Sequence, residues 1–129
     1  MLSGVPEGLD AIALDQLTKS DDLITLGEGN TPIVKMNRVS EIVGIDTIGK
    51  LEYMNPTGSF KDRGSAIMIS ALAGFNIKEI VEDSSGNAGA SISAYGAKAG
   101  IKTHIFTPST TPLPKLNQIN IYGAVNHSI

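Results

Sequence analysis

From about residue 48 to the end of this 129-residue chain, short β-rich runs alternate with helix-period runs, and small-residue turns separate them. "TIGKLEYM" reads as a strand, "SFKDRGSAIMISALAGF" as a helix, "EIVED" as a strand, and "ASISAYGAKAG" as an Ala-rich helix closed by Gly100. "KTHIF" then reads as a strand, "LPKLNQINIYG" as a helix, and "AVNHSI" as the start of another strand. Such alternation predicts βαβ units, a parallel sheet and a three-layer open α/β architecture with helices on both faces. A parallel sheet buries both faces, and the last strand has no element after it to cover it. The region is therefore expected to be incomplete at its C-terminus, the N-terminal part of a larger fold; a small domain ending on an edge strand is the alternative.

Upstream the pattern is looser. Residues 1–30 are read as an N-terminal segment with an amphipathic helix over Leu9–Leu17, and residues 31–129 as the α/β region. "PIVKM" predicts a strand and "NRVSEIVG" a short helix capped by Asn37 and stopped by Gly44. In the long helix, Ile67, Ile69, Ala71 and Leu72 are placed to pack, with Gly74 ending it.

Composition narrows the class. Apolar residues make up 41% of the chain, charged residues 18%, and the net charge is -3, with no block of Lys and Arg. Nucleic acid is not an expected partner. No cysteine is present, which removes disulfides, thiolate metal sites and a Cys nucleophile. The N-terminus shows no basic-then-apolar leader, and no apolar run is long enough to span a bilayer, so a cytoplasmic protein without membrane contact is expected.

Several motifs fail on inspection. "GIDTIGK" at 44–50 matches the start of a P-loop, but Leu51 stands where a Ser or Thr must follow. "GEGNTP" has Pro32 in place of the last glycine of a dinucleotide turn. "NHS" at Asn126 fits a glycosylation triplet without the secretory context that would give it meaning. His104 and His127 lack ligand partners at metal spacing and are read as structural.

"NPTGSFKDRG" at 55–64 is different. Ser59 and Asp62 have the spacing of a capping box, which starts the helix at Ser59 and puts Lys61 in its first turn, where a cation opposes the helix dipole. Either Lys61 is a solvated side chain offset by Asp62, or it is an amine in a partly dry site, its charged form disfavoured, able to form an imine with a carbonyl. "SSGNAGAS" at 84–91 follows a strand and opens a helix. Its backbone N–H groups at Ser85, Gly86, Asn87 and Ala88 are placed to converge on an anion; the alternative is a tight turn with Asn87 as N-cap. Two such turns at the carboxyl ends of neighbouring parallel strands face one crevice, where open α/β sheets bind ligands.

Together, "NPTGSFKDRG" and, some twenty residues on, "EDSSGNAGAS" resemble the β-family (fold type II) of pyridoxal-phosphate enzymes. That group takes in threonine synthase, threonine and serine dehydratases, cysteine synthase and the tryptophan synthase β-chain. "LGEGNTPIVK" at 26–35 and "PKLNQINIYGA" at 114–124 are most similar to the threonine synthase branch. The resemblance implies a lyase of amino-acid biosynthesis with pyridoxal 5'-phosphate held by Lys61, which would then act as the base at the substrate carbons. It implies Phe60 against the cofactor, Asn87 on its phenolic oxygen, and Ser84, Ser85, Gly86, Asn87 and Ala88 around the substrate carboxylate. A small amino-acid substrate and a homodimer are further implications. The family's glycine-rich phosphate loop and its contact to the pyridine nitrogen have no counterpart here, so this chain alone is expected to be inactive. A dehydratase or cysteine-synthase-like enzyme of the same family, or a non-catalytic remnant, are the alternatives.

Overall fold

The computed structural model describes residues 23–129; the helix expected over Leu9–Leu17 lies outside the described residues. β1 (Ile33–Lys35), α1 (Asn37–Val43) and β2 (Ile48–Lys50) are followed by a 3-10 turn at Glu52–Met54, then α2 (Lys61–Gly74), β3 (Glu79–Glu82), α3 (Asn87–Ala99), β4 (Lys102–Thr107), α4 (Leu113–Ile121) and β5 (Val125–Ser128).

β3, β4 and β5 form a parallel sheet in that order, with Ile80 opposite Thr103 and Ile105 opposite Asn126. Both crossovers step in the same direction, and right-handed connections then put α3 and α4 on the same face. Burial along β4 agrees: Thr103, Ile105 and Thr107 are buried, while Lys102 is exposed and His104 and Phe106 are half-buried on the other side. The α/β class is thus as expected, with helices over one face among the described residues. The opposite face presents Val81 and Val125, 68% and 40% exposed.

β2 departs from the βαβ expectation. It pairs antiparallel with β1, Ile33 opposite Lys50, in a separate two-stranded ribbon. Short α1 closes that ribbon, ending at Gly44 with φ 74° as its sequence predicts, though Asn37 is its first residue and makes no capping bond.

α3 explains the small-residue composition of "NAGASISAYGAKA". Residues 89–96 are buried without interruption, because α2, β4 and α4 all touch this helix. Gly89 and Gly96 are required by contact: a Cβ at Gly89 would fall 2.1 Å from the Ser84 carbonyl oxygen, and one at Gly96 2.3 Å from Thr103 Oγ1. The serines are satisfied internally, Ser93 Oγ donating to the Gly89 carbonyl at 2.6 Å. The core gathers Ala66, Ile69, Ile92, Ala94, Tyr95 and Ile101. Burial of a large apolar side chain of this kind contributes about 1.5–3 kcal/mol.

α2 packs differently from its apolar pattern. Ile69 is fully buried, but Ile67 is 55% exposed, and Asp62, Ser65 and Ser70 line the buried face instead. Gly74 belongs to the helix; the turn is completed at Asn76, which takes φ 61°.

Candidate active site

The turn before α2 is built around a buried carboxylate. Asp62, with no exposed surface, accepts from the Thr57 N–H at 2.7 Å, from the Thr57 hydroxyl, and from Ser91 Oγ at 2.6 Å. The Ser65 and Ser91 hydroxyl oxygens lie 2.8 Å apart, and with the Ser91 proton on Asp62 it is Ser65 that donates to Ser91. The capping box expected from Ser59 and Asp62 therefore does not form: α2 begins at Lys61, and Ser59 Oγ accepts only the Lys61 N–H, at 3.2 Å. Asp62 faces inward to hold the Pro-Thr-Gly turn against α3, which leaves Lys61, the next residue back, facing out.

Of its two readings Lys61 follows the solvated one in being exposed, with its Nζ 4.9 Å from the centre of the Phe60 ring. Phe60 is itself 58% exposed, an aromatic face left beside an amine. Close by, at the end of β3, the Glu82 carboxyl is pushed up by burial and by Asp83, with the Lys61 charge pulling it partly back.

The Asn loop opens α3 at the same end of the sheet. Gly86 is the N-cap residue and Asn87 the first helical residue, so Asn87 is not the N-cap of the alternative reading. The Gly86 N–H turns inward to Ser84 Oγ at 3.2 Å, which removes it from the expected converging set. The N–H groups of Asn87 and Ala88 belong to the first turn and have no acceptor within the helix. Ser84, Ser85, Gly86 and Ala88 are half-buried; Asn87 is exposed.

α4 completes the rim. Lys115 Nζ donates to Asn87 Oδ1 at 3.1 Å, and Gln118 Nε2 donates to the Thr57 carbonyl at 3.0 Å. Neither residue was singled out by motif. A signal existed, because α4 follows parallel strand β4 as α3 follows β3, and first turns in that position border the same crevice.

A family model described as "Pyridoxal-phosphate dependent enzyme" matches residues 24–129. The chain belongs to this family. Threonine synthase from Halalkalibacterium halodurans is 39% identical over 109 residues, covering 84% of this chain and 31% of the relative. Threonine synthase from Mycobacterium leprae is 38% identical over 120 residues, covering 91% and 33%. The chain thus spans about a third of the length of these curated relatives. Among solved structures, a pyridoxal 5'-phosphate-dependent aspartate racemase matches with a TM-score of 0.74 at 28% identity, covering 89% of this chain and 37% of that one. Maize serine racemase matches with the same score and identity, covering 88% and 35%. The fold expected from the resemblance is shared with these enzymes, and pyridoxal phosphate is the family's cofactor.

The residues present fit that cofactor in its reactive half. An exposed amine, an exposed aromatic ring and an exposed amide stand at adjoining helix starts, with two glycine-lined turns that let a ligand approach the backbone. Among the described residues no group of three or more His, Cys, Asp and Glu is gathered to hold a metal. His104 and His127 instead pair with each other at 2.7 Å on the sheet face away from the helices, His104 also meeting Glu79 at 2.6 Å. Lys50, of the rejected P-loop match, donates to the Thr31 carbonyl.

Proposed function

We propose that this chain carries the catalytic lysine of a pyridoxal-phosphate-dependent lyase of the threonine synthase kind. The reaction would convert O-phospho-L-homoserine and water to L-threonine and phosphate. The phosphate ester bond at the γ-carbon breaks, the hydroxyl of water joins the β-carbon, and the γ-carbon ends as a methyl group. The observation that carries the reading is the meeting of two turns: Asp62 bonds to Ser91, which brings the start of α2, with Lys61, beside the start of α3, with Asn87.

Lys61 would hold the cofactor covalently, and its amine, once released by the substrate amine, would take and return protons at the substrate carbons. Bound there, pyridoxal phosphate supplies an electron sink for charge at the carbon bearing the amine. Phe60 would flank the ring. Asn87 would donate to the phenolic oxygen, while the N–H groups of Asn87 and Ala88 with the Ser84 and Ser85 hydroxyls would take the substrate carboxylate.

The test is to incubate the 129-residue chain with pyridoxal phosphate, reduce with borohydride and map the modified peptide. Selective fixation on Lys61, abolished in Lys61→Ala, is expected. Fixation scattered over Lys19, Lys78 and Lys102, or none, would remove the claim that this chain forms the site and favour a non-catalytic remnant.

A racemase or dehydratase of the same family is the second reading, favoured by the structural likeness to racemases. Higher identity to threonine synthases weighs against it. Phosphate release from O-phosphohomoserine, set against inversion or deamination of serine by a protein containing this chain, separates them. A homodimer is part of the proposal and is checked by sedimentation. No helix among the described residues is long and apolar enough to cross a membrane.

A further inference from the structure

Lys115 stands in the first turn of α4, where a cation opposes the helix dipole, so the helix itself gives no reason for it. Its ammonium has donors only, and the atom it meets at 3.1 Å is an amide oxygen, Asn87 Oδ1. That contact decides which end of the Asn87 amide is which, because the reversed amide would set N–H groups against N–H groups. The NH2 end is thereby turned away from Lys115, and a charge on its carbonyl polarises the amide and strengthens its donors. α4 is held in place by a second bond, from Gln118 to the Thr57 carbonyl in the turn that leads to Lys61.

We propose that Lys115 is a positioning residue: it fixes the Asn87 amide with its NH2 presented to the crevice, ready for a ligand oxygen that carries negative charge. This rests on the reading above that the crevice takes pyridoxal phosphate, whose phenolic oxygen is such an atom. Lys115 acts through Asn87 and need not touch the cofactor.

Two readouts test it. In the isotope-labelled 129-residue chain without ligand, side-chain amide NMR reports the Asn87 orientation. The expected result is that Lys115→Met shifts both Asn87 amide-proton signals and brings them into contact with α4, while Lys115→Arg keeps the parent pattern. Unchanged amide signals in Lys115→Met, with the backbone spectrum intact, would overturn the proposal. With pyridoxal phosphate added, Lys115→Met is expected to weaken binding about fivefold, the size set by one charge-assisted hydrogen bond acting at second hand. It should also move the pH at which the absorbance of the bound cofactor titrates. Lys115→Arg should restore both. In an Asn87→Ala background Lys115→Met should add nothing; an equal loss there would show that Lys115 acts elsewhere. If borohydride fixes no cofactor on Lys61 of the parent chain, the cofactor reading fails, and the amide spectrum still decides whether Lys115 sets Asn87.

Discussion

Asp62 shows how one buried side chain can be mistaken for a local cap. It accepts three bonds, from two atoms of Thr57 and from Ser91, and truncating it strands those donors in a dry site. Asp62→Ala is expected to cost about 2–4 kcal/mol in urea unfolding, with Asp62→Asn only partly better because an amide oxygen kept on the Thr57 N–H turns the NH2 toward the two hydroxyls that donate to Oδ1. A second residue-scale prediction concerns acid. Arg63, bonded to Glu52 at 2.9 Å, and Thr31 hold the Glu52 carboxyl down from its ordinary 4.5 to about 2. A carboxyl lowered by folding stabilises the fold fully above its unfolded value, and that contribution fades as pH falls through the folded one. Stability should therefore fall from pH 4.5 towards about 2, and the fall should be shallower in Arg63→Met, as followed by urea midpoints across that range. Lys61 and Asn87 stand out in the sequence as candidates because each lies in a motif with a chemical reason for its residue types. Lys115, Gln118 and the inward turn of Asp62 do not, since their partners lie 28, 61 and 29 residues away and no local spacing encodes such contacts.

At the scale of elements, the two close-contact glycines of α3 fail for different reasons when substituted. At Gly89 an added methyl meets a backbone carbonyl, which can only be relieved by moving the Ser84 loop. At Gly96 it meets the Thr103 hydroxyl, which a second substitution can remove. Gly89→Ala and Gly96→Ala are each expected to cost about 1–3 kcal/mol in chemical denaturation. In a Thr103→Ala background the cost of Gly96→Ala should shrink, whereas Gly89→Ala has no equivalent rescue. Periodicity placed most elements, because α3, β4 and α4 follow patterns set by their own neighbours. It misassigned the partner of β2, since a three-residue strand carries no sign of whether it will pair parallel or antiparallel. It also misjudged Ile67, because apolar content in α2 does not reveal that a buried carboxylate and two serines occupy the face against α3.

Across the whole molecule, the segment at 24–29 is tied to the rest of the chain by three hydrogen bonds. Tyr95, in the core, donates to Glu28 at 2.7 Å; the Ile24 N–H reaches Ser70 Oγ at 3.0 Å; the Gly29 N–H reaches Asn55 Oδ1 at 2.9 Å. Burial raises the Glu28 carboxyl, but its bonds from Tyr95, its own N–H, the Leu26 N–H and Thr25 outweigh that and leave it lowered. Burial and the Glu28 bond push the Tyr95 phenol well above its ordinary range, so it remains a donor throughout ordinary conditions. Tyr95→Phe is expected to speed hydrogen exchange at residues 25–29 while leaving β4 protected, at a cost of about 0.5–1.5 kcal/mol. The bond from Gln118 back to Thr57 has a further consequence for how the molecule comes into being. A ribosome delivers the chain from its N-terminal end, so the turn that aims Lys61 is made long before the residue that clamps it. Until α4 has emerged, the turn before Lys61 is held by Asp62 and Ser91 without its bond from Gln118. The turn is closed by a partner 61 residues downstream, made only after the elements between them.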